Sequence, residues 1–148
     1  MRGYSINLVG ASLTAAITAV IEATAHTNRA MIITRASLSQ QGNTTSAQQA
    51  VQVLRQSTAG TNVTTPNNNP LDPDDAAAGY TVRGLCTTLG TAGAILYPDS
   101  FNWQNGWLLL PVPEERISVV GAGIVALKVP VAPPAQTINA AVDVLEVG

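Results

Sequence analysis

Short stretches of alternating apolar and polar residues recur along the chain, separated by Gly, Pro and Asn. Because successive side chains of a strand point to opposite faces, each stretch predicts a half-buried β-strand. Eight or more short strands with turn residues between them are typical of a sandwich or barrel, not of alternating strands and helices. The predicted strands are 5–9, 30–40, 48–55, 80–87, 94–97, 106–112, 116–120, 124–131 and 137–147.

Residues 11–25 fit two patterns. Leu13, Ile17 and Ile21 recur at helical spacing, and the segment contains neither Gly nor Pro. The same residues also alternate, and the content of Thr, Ile and Val favours a strand. We predict a strand here, with one short helix as the alternative.

Residues 58–78 interrupt the pattern with Asn, Pro, Asp and Gly and repeat no apolar face. The segment exceeds the ~12–15 residues usual for an unstructured connection, which indicates a functional or disordered loop. We therefore predict a long loop or arm at about 58–78 within a single β-rich domain, residues 1–148. The expected fold class is all-β, a single-domain β-sandwich of jelly-roll-like type.

The composition indicates what kind of surface this fold presents. Aromatic residues make up 4% of the chain and charged residues 11%, where soluble domains carry about 25% charged residues. A surface of Thr, Ser, Asn and Ala loses its water at a lower free-energy cost than one of ammonium and carboxylate groups. These features favour permanent contact with other proteins and predict a homo-oligomer, first of all a trimer.

Charge also bears on the class of partner. The net charge is −2, and the seven Lys and Arg residues are scattered, whereas nucleic-acid binding needs clustered cations. No uninterrupted apolar run approaches the ~20 residues of a membrane span. We expect neither nucleic acid nor a membrane as a partner.

The chain has few side chains that could act as a catalytic nucleophile, a base or a metal ligand. His26, the only histidine, lies in a turn-like HTNR stretch, and Cys86, the only cysteine, lies in a predicted strand. A triad needs a base beside its nucleophile, and a structural zinc site needs about four ligands. The acidic residues of the 72–75 stretch lack the donor spacing of a calcium loop, and Glu114 and Glu115 indicate a charged turn. We expect no enzyme activity, no catalytic residue, no metal and no cofactor.

Two Asn-X-Thr sequons, at residues 43–45 and 62–64, are formal glycosylation acceptors that arise easily by chance in a chain so rich in Asn and Thr. The Gly121 and Gly123 pair predicts a hairpin or bulge.

The strongest local feature is the stretch 101–110, FNWQNGWLLL, which holds both tryptophans and the only phenylalanine. Three interpretations remain open: the rings anchor the core, they form a subunit contact in which Trp acts as a hot-spot residue, or they offer a platform for stacking sugars. The candidate interface residues are Phe101, Trp103, Trp107, Leu109 and Arg116.

The whole chain resembles small accessory proteins of tailed bacteriophages, above all the cement or decoration proteins of the outer capsid. The resemblance lies in a β-rich chain of this size that is poor in charged and aromatic residues and rich in Ala, Thr, Val and Asn. It also lies in three stretches, PLDPDDAAAGYTV (70–82), FNWQNGWLLLPVPEER (101–116) and VDVLEVG (142–148). It implies a jelly-roll-like fold and an oligomer made in the host cytoplasm. It also implies a virion protein that binds the major capsid protein and stabilises the capsid surface. The alternative function is a β-sandwich recognition module, such as a fibre head or a carbohydrate binder.

Overall fold

The chain folds into a two-layered β-sandwich. The structure, a computed structural model, describes residues 1–42 and 45–148. The sequon at 43–45 therefore lies partly outside the described residues. Within them there is no α-helix, and a single 3-10 turn covers Pro113–Glu115. The strands are β1 (Arg2–Leu13), β2 (Ala19–Thr24), β3 (Ala30–Gln40), β4 (Gln48–Gln56), β5 (Asn67–Pro70), β6 (Thr81–Cys86), β7 (Ala92–Asn102), β8 (Trp107–Leu109), β9 (Ile117–Val119), β10 (Ile124–Lys128) and β11 (Gln136–Val147).

Both sheets are antiparallel. The first has the strand order β5-β1-β11-β3-β8, with β9 also paired to β3, and the second has the order β6-β2-β10-β4-β7. Leaving out β5 and β6, and taking β8 with β9 as one strand, eight strands pair first with last, second with seventh, third with sixth and fourth with fifth. That is the strand order of a jelly roll, so the predicted fold class is confirmed.

Alternation explains the layers. In β11 every second residue from Gln136 to Glu146 is buried, and the intervening residues are half-exposed. The inward side chains of the two sheets meet in one hydrophobic core, built on Ile, Leu, Val and Ala. Five of the six aromatic side chains also lie in it: Tyr4, Tyr80, Phe101, Trp103 and Trp107.

The segment 11–25 is not a single element, and the alternative of a short helix is wrong. Residues 11–13 end β1, a turn follows, and β2 begins at Ala19. The carbonyl of Thr14 accepts from the amide of Ile17. β2 is buried on both faces, so residues 19–21 and 23, apolar on either side of Glu22, belong to a fully buried strand.

The expected loop or arm at 58–78 contains a strand and lies along the sandwich. β5 pairs with β1 at the edge of the first sheet, and Thr61 and Thr64 form isolated bridges to Thr88 and Gly84. The segment is therefore a long connection that is not wholly without strand, because Asn and Pro supply an edge strand that the alternation rule does not detect. We call residues 58–79 the strap.

Gly121 and Gly123 do not form a hairpin or bulge. Gly121 and Ala122 both have positive φ, +58° and +61°, and the amide of Gly123 donates to the carbonyl of Val120 over 2.9 Å. This tight turn connects β9 in the first sheet to β10 in the second, whereas a hairpin would join neighbours in one sheet.

Candidate interaction surface

The three rings of the 101–107 stretch lie inside the molecule. Trp103 is fully buried, Phe101 and Trp107 are each 7% exposed, and Phe101 packs edge-on against Trp103 at a centroid distance of 4.8 Å. The indole nitrogen of Trp107 donates to Asp99 Oδ2 over 3.0 Å. Their burial supports the core interpretation and corrects their assignment to an interface, because aromatic rings are the largest apolar groups available to fill this core.

A tight turn positions these rings. The carbonyl of Asn102 accepts from the amides of Asn105 and Gly106, and its side-chain Oδ1 accepts from the amide of Gln104 over 2.9 Å. Gly106 has a φ of +70°, a conformation that glycine adopts without steric cost. The Asn-Gly dipeptide does form a turn, but the turn carries the chain from β7 in one sheet to β8 in the other.

The other side chains of this stretch point to solvent. Leu108, Leu110 and Val112 are 55%, 65% and 53% exposed, and Leu109 is half-buried against the core. They follow the edge of the first sheet, where β8 and β9 pair only with β3. We call Leu108, Leu110 and Val112 the apolar edge patch. An edge strand that exposes large apolar side chains is a surface suited to contact with another protein.

Prolines and a mostly neutral depression border this patch, and Glu114 and Glu115 follow it in the chain. Pro111 and Pro113 have no amide hydrogen, so this part of the edge resists pairing with further strands. Beside it a shallow depression is lined by Arg35, Ser37, Leu38, Ser39, Asn105, Gly106, Trp107 and Leu108. Its rim is thus mostly uncharged, and Arg35 is already paired with Asp143 over 3.3 Å.

An open groove of about 600 Å³ lies further along the same side, between β7 and β9. The hydroxyl of Tyr97 donates to the carbonyl of Glu115 over 2.6 Å, and Arg55 Nη2 donates to the carbonyl of Ser118 over 2.9 Å. The groove is lined by Arg55, Leu96, Tyr97, Glu115, Arg116, Ile117 and Ser118. We call it the arginine groove. It includes Arg116, the one member of the predicted interface set that is exposed rather than buried or half-buried.

The residues weighed for catalysis have structural surroundings. His26 is exposed in a turn, where its Nδ1 accepts from the amide of Asn28 over 3.1 Å. Cys86 is fully buried, and burial raises the pKa of its thiol to about 11. In residues 1–42 and 45–148 no three His, Cys, Asp or Glu side chains converge as a metal site would require.

Two buried glutamates are the feature that the sequence analysis missed. Glu22 on β2 is fully buried and forms an ion pair with Arg83 of the neighbouring strand over 3.4 Å. Its two carboxylate oxygens accept from the amide of Gly60 at 3.2 and 2.9 Å. With its amide oriented to suit its neighbours, Gln56 also donates to Glu22 over 2.9 Å. The carboxylate thereby fixes the beginning of the strap on the outer face of the second sheet.

Glu146 fixes the other end of the strap. It is 4% exposed, pairs with Arg29 over 3.0 Å and accepts from the amide of Gly79 over 2.9 Å. Tyr80 and Tyr4 add hydroxyl hydrogen bonds to Asn68 and to the carbonyl of Ala76. The only available signal was that Glu146 occupies an inward position in the alternation of β11.

No protein family, curated protein sequence or solved structure matches this chain. In the part of the chain that the structure describes, no helix has the length and apolarity to cross a membrane. The strand order and the side chains themselves therefore carry the functional argument.

Proposed function

We propose that this chain is a structural virion protein that binds the outer surface of a tailed-phage capsid and stabilises it by bridging subunits of the major capsid protein. In this proposal it is not an enzyme, and the apolar edge patch is its contact with the capsid. The observation that carries the proposal is the patch itself: three large apolar side chains, each more than half exposed, on the free edge of a jelly-roll sheet.

Energetics favour an apolar contact at this place. Burying an exposed Leu or Val side chain contributes about 1.5–3 kcal/mol, and the surrounding Ser and Asn residues lose water at a lower cost than charged groups. A stable interface buries about 800 Å² on each partner, so the patch would form the centre of a larger contact with the neutral depression as its rim. Binding of this kind opposes the separation of capsid subunits by linkage.

A recognition module for carbohydrate has less support. Sugar stacking needs exposed aromatic faces, whereas five of the six rings lie in the core and Tyr97 is half-buried with its hydroxyl bonded to Glu115.

The test is a release-temperature assay on particles of the encoding phage, stripped of this protein and then re-decorated with it. Re-decorated particles should release their genome at a higher temperature than stripped ones. The variant Leu108→Ser/Leu110→Ser/Val112→Ser should fail to restore that temperature. The matched control is Val131→Ser, which removes an apolar side chain of similar exposure (61%) outside the patch.

Salt separates this contact from an electrostatic one. Because Debye screening acts on charges and leaves apolar burial intact, the raised release temperature should persist at high salt. Equal release temperatures with and without the protein would remove the cementing role. If the triple variant restored the full release temperature, the contact with the capsid would lie outside the apolar edge patch.

A further inference from the structure

The arginine groove contains two cations that the fold itself leaves without a carboxylate. The described residues contain four ion pairs, Arg2–Asp75, Arg29–Glu146, Arg35–Asp143 and Arg83–Glu22. Arg55 and Arg116, both exposed, take part in none of them. Of the acidic residues only Glu115 lines the groove, so its lining carries an excess of positive charge.

Matching negative charge lies on the opposite side of the molecule, in the turn of the strap that follows β5. Asp72, Asp74 and Asp75 lie within four residues, and only Asp75 faces a cation, Arg2 at 3.8 Å. Leu71, which begins this turn, is 64% exposed. We call residues 71–75 the acidic turn.

The strand register places the groove and the acidic turn at the same level. The amide of Leu71 donates to the carbonyl of Gly3, Gly3 pairs with Leu145, and Leu145 pairs with Ile32. Ile32 in turn pairs with Ser118 of the arginine groove. A single row of paired residues thus crosses the first sheet from the acidic turn to the groove.

We propose that the arginine groove binds the acidic turn of a second copy of this chain. Asp72 and Asp74 would approach Arg55 and Arg116, and Leu71 would pack on Leu96 and Tyr97. The partner is argued from complementary charge and from the exposed leucine beside it. This inference builds on the proposed function, since the oligomer presents several apolar edge patches to one capsid; when high salt separates the copies, each patch still binds the capsid by itself.

The geometry also defines the kind of oligomer. The two surfaces differ and lie on opposite sides of the chain, so the contact is head-to-tail, and such contacts form closed rings or open filaments. Because both surfaces lie at one level along the strands, successive copies need little shift along the strand direction. An assembly without such a shift can close into a ring, whereas a steady shift would produce a rising helical filament; we therefore expect a ring.

Two variants test the two halves of the contact separately. The groove variant is Arg55→Gln/Arg116→Gln. The turn variant is Asp72→Asn/Asp74→Asn, which removes charge while keeping the side-chain oxygen that bonds the amide of residue 74. The matched control is Lys128→Gln, which removes the remaining Lys or Arg side chain that forms no ion pair among the described residues. All are measured by sedimentation velocity at tens of micromolar, at low and at high salt.

The parent chain and the control should sediment as one discrete oligomer at low salt and should dissociate as salt rises. Each variant alone should be a monomer. An equimolar mixture of the two variants should give a one-to-one dimer that grows no further, because only one intact groove and one intact turn remain to meet.

A monomeric parent chain, an oligomer that survives either double substitution, a mixture without the dimer, or an open polymer would each overturn the inference. The proposed function fails differently. If a monomeric parent chain still raises the release temperature of stripped particles, the head-to-tail contact is wrong and the capsid contact stands. If the ring forms but the particles gain no stability, the reverse holds.

Discussion

The two lateral edges of the sandwich are stabilised in different ways. On the β5 and β6 side the strap adds β5 to the first sheet and forms an isolated bridge to β6 of the second at Gly84. Buried carboxylates bind its two ends at Gly60 and Gly79. On the β7, β8 and β9 side no further strand is added, and large apolar side chains face solvent above the buried rings. On the strap side, polar bonds within the chain hold the strap against the sheet edges. On the other, open side, buried aromatic rings support an edge that no further strand covers.

This difference shows where a chain with few charges places them. Of the four ion pairs among residues 1–42 and 45–148, two involve buried glutamates, and both of these hold the strap. Buried ion pairs are weak evidence for stability but fix one arrangement, because every alternative leaves a charge without partners. We infer that the strap side is specified by polar bonds and the open side by the shapes of its aromatic rings.

The largest effect is expected beneath the open side. Trp103→Ala should lower the free energy of unfolding by about 3–5 kcal/mol, because it removes the largest fully buried side chain and leaves a cavity. Trp103→Phe is the control, since the indole nitrogen has no hydrogen-bond partner in the described residues. Denaturant titration should show a much smaller loss for it. Similar losses for both variants would mean that the indole nitrogen is bonded after all.

On the strap side, Glu22→Gln should cost about 1–3 kcal/mol, because it removes the charge that accepts bonds from Gly60, Arg83 and Gln56. The loss should be local. Hydrogen exchange should rise in the first half of the strap before the sheets open.

The control for that substitution is Asp143→Asn, which makes the same chemical change in a more exposed ion pair. Exposed pairs contribute about 0–1 kcal/mol, so this variant should stay close to the parent chain. If strap amides exchange equally in both variants, Glu22 does not hold the strap.

Alternation predicted most of the fold because the inward and outward faces differ in polarity along β3, β4 and β11. The bounds of β3 were predicted to the residue. β7 extends well beyond the predicted strand 94–97, because its exposed residues show no alternation of apolar and polar side chains. β5 could not be predicted from NNNP, since its pairing comes from the strap being held at both ends.

The candidate surface was predicted less well. Phe101, Trp103 and Trp107 were assigned by residue type, but a ring can serve a core or an interface, and only the surrounding sheets decide between them. Leu108 and Leu110 alternate with Leu109, which places them on the solvent side of an edge strand. Because all of residues 107–110 are apolar, however, the sequence alone does not show which of the two faces is exposed. The arginine groove was not predictable, because its residues come from three separate strands and the turn before β9.

High pH should weaken the strap side. Burial, with the nearby Glu22 carboxylate adding to it, raises the pKa of Cys86 to about 11, while Arg83 opposes the shift. The folded state therefore holds this proton more tightly than the unfolded chain. Its stabilising contribution is complete below the ordinary thiol pKa of about 8.5–9 and is lost as pH rises towards 11.

Thermal unfolding from pH 8 to 11 should show this decline, and Cys86→Ala should make it shallower. The folded thiol should also react slowly with a disulfide reagent at pH 8, since the thiolate is the nucleophile. Gly60 of the strap packs against Cys86, so fast reaction in the native state would show that the strap does not cover the thiol.

The smallest effect on stability is expected at the apolar edge patch. Leu110→Ser should change the free energy of unfolding by no more than about 0.5 kcal/mol, because a side chain that is 65% exposed has little burial to lose. Two residues away, Leu108 should behave in the same way, whereas Trp107→Ala, directly beneath the edge, should destabilise the fold strongly. Chemical denaturation of the three variants measures this contrast. A large loss in Leu110→Ser would mean that the patch belongs to the fold of the single chain, and the open side would then lose its distinction from the strap side. An unchanged fold with lost capsid binding would show that this side serves contact between molecules.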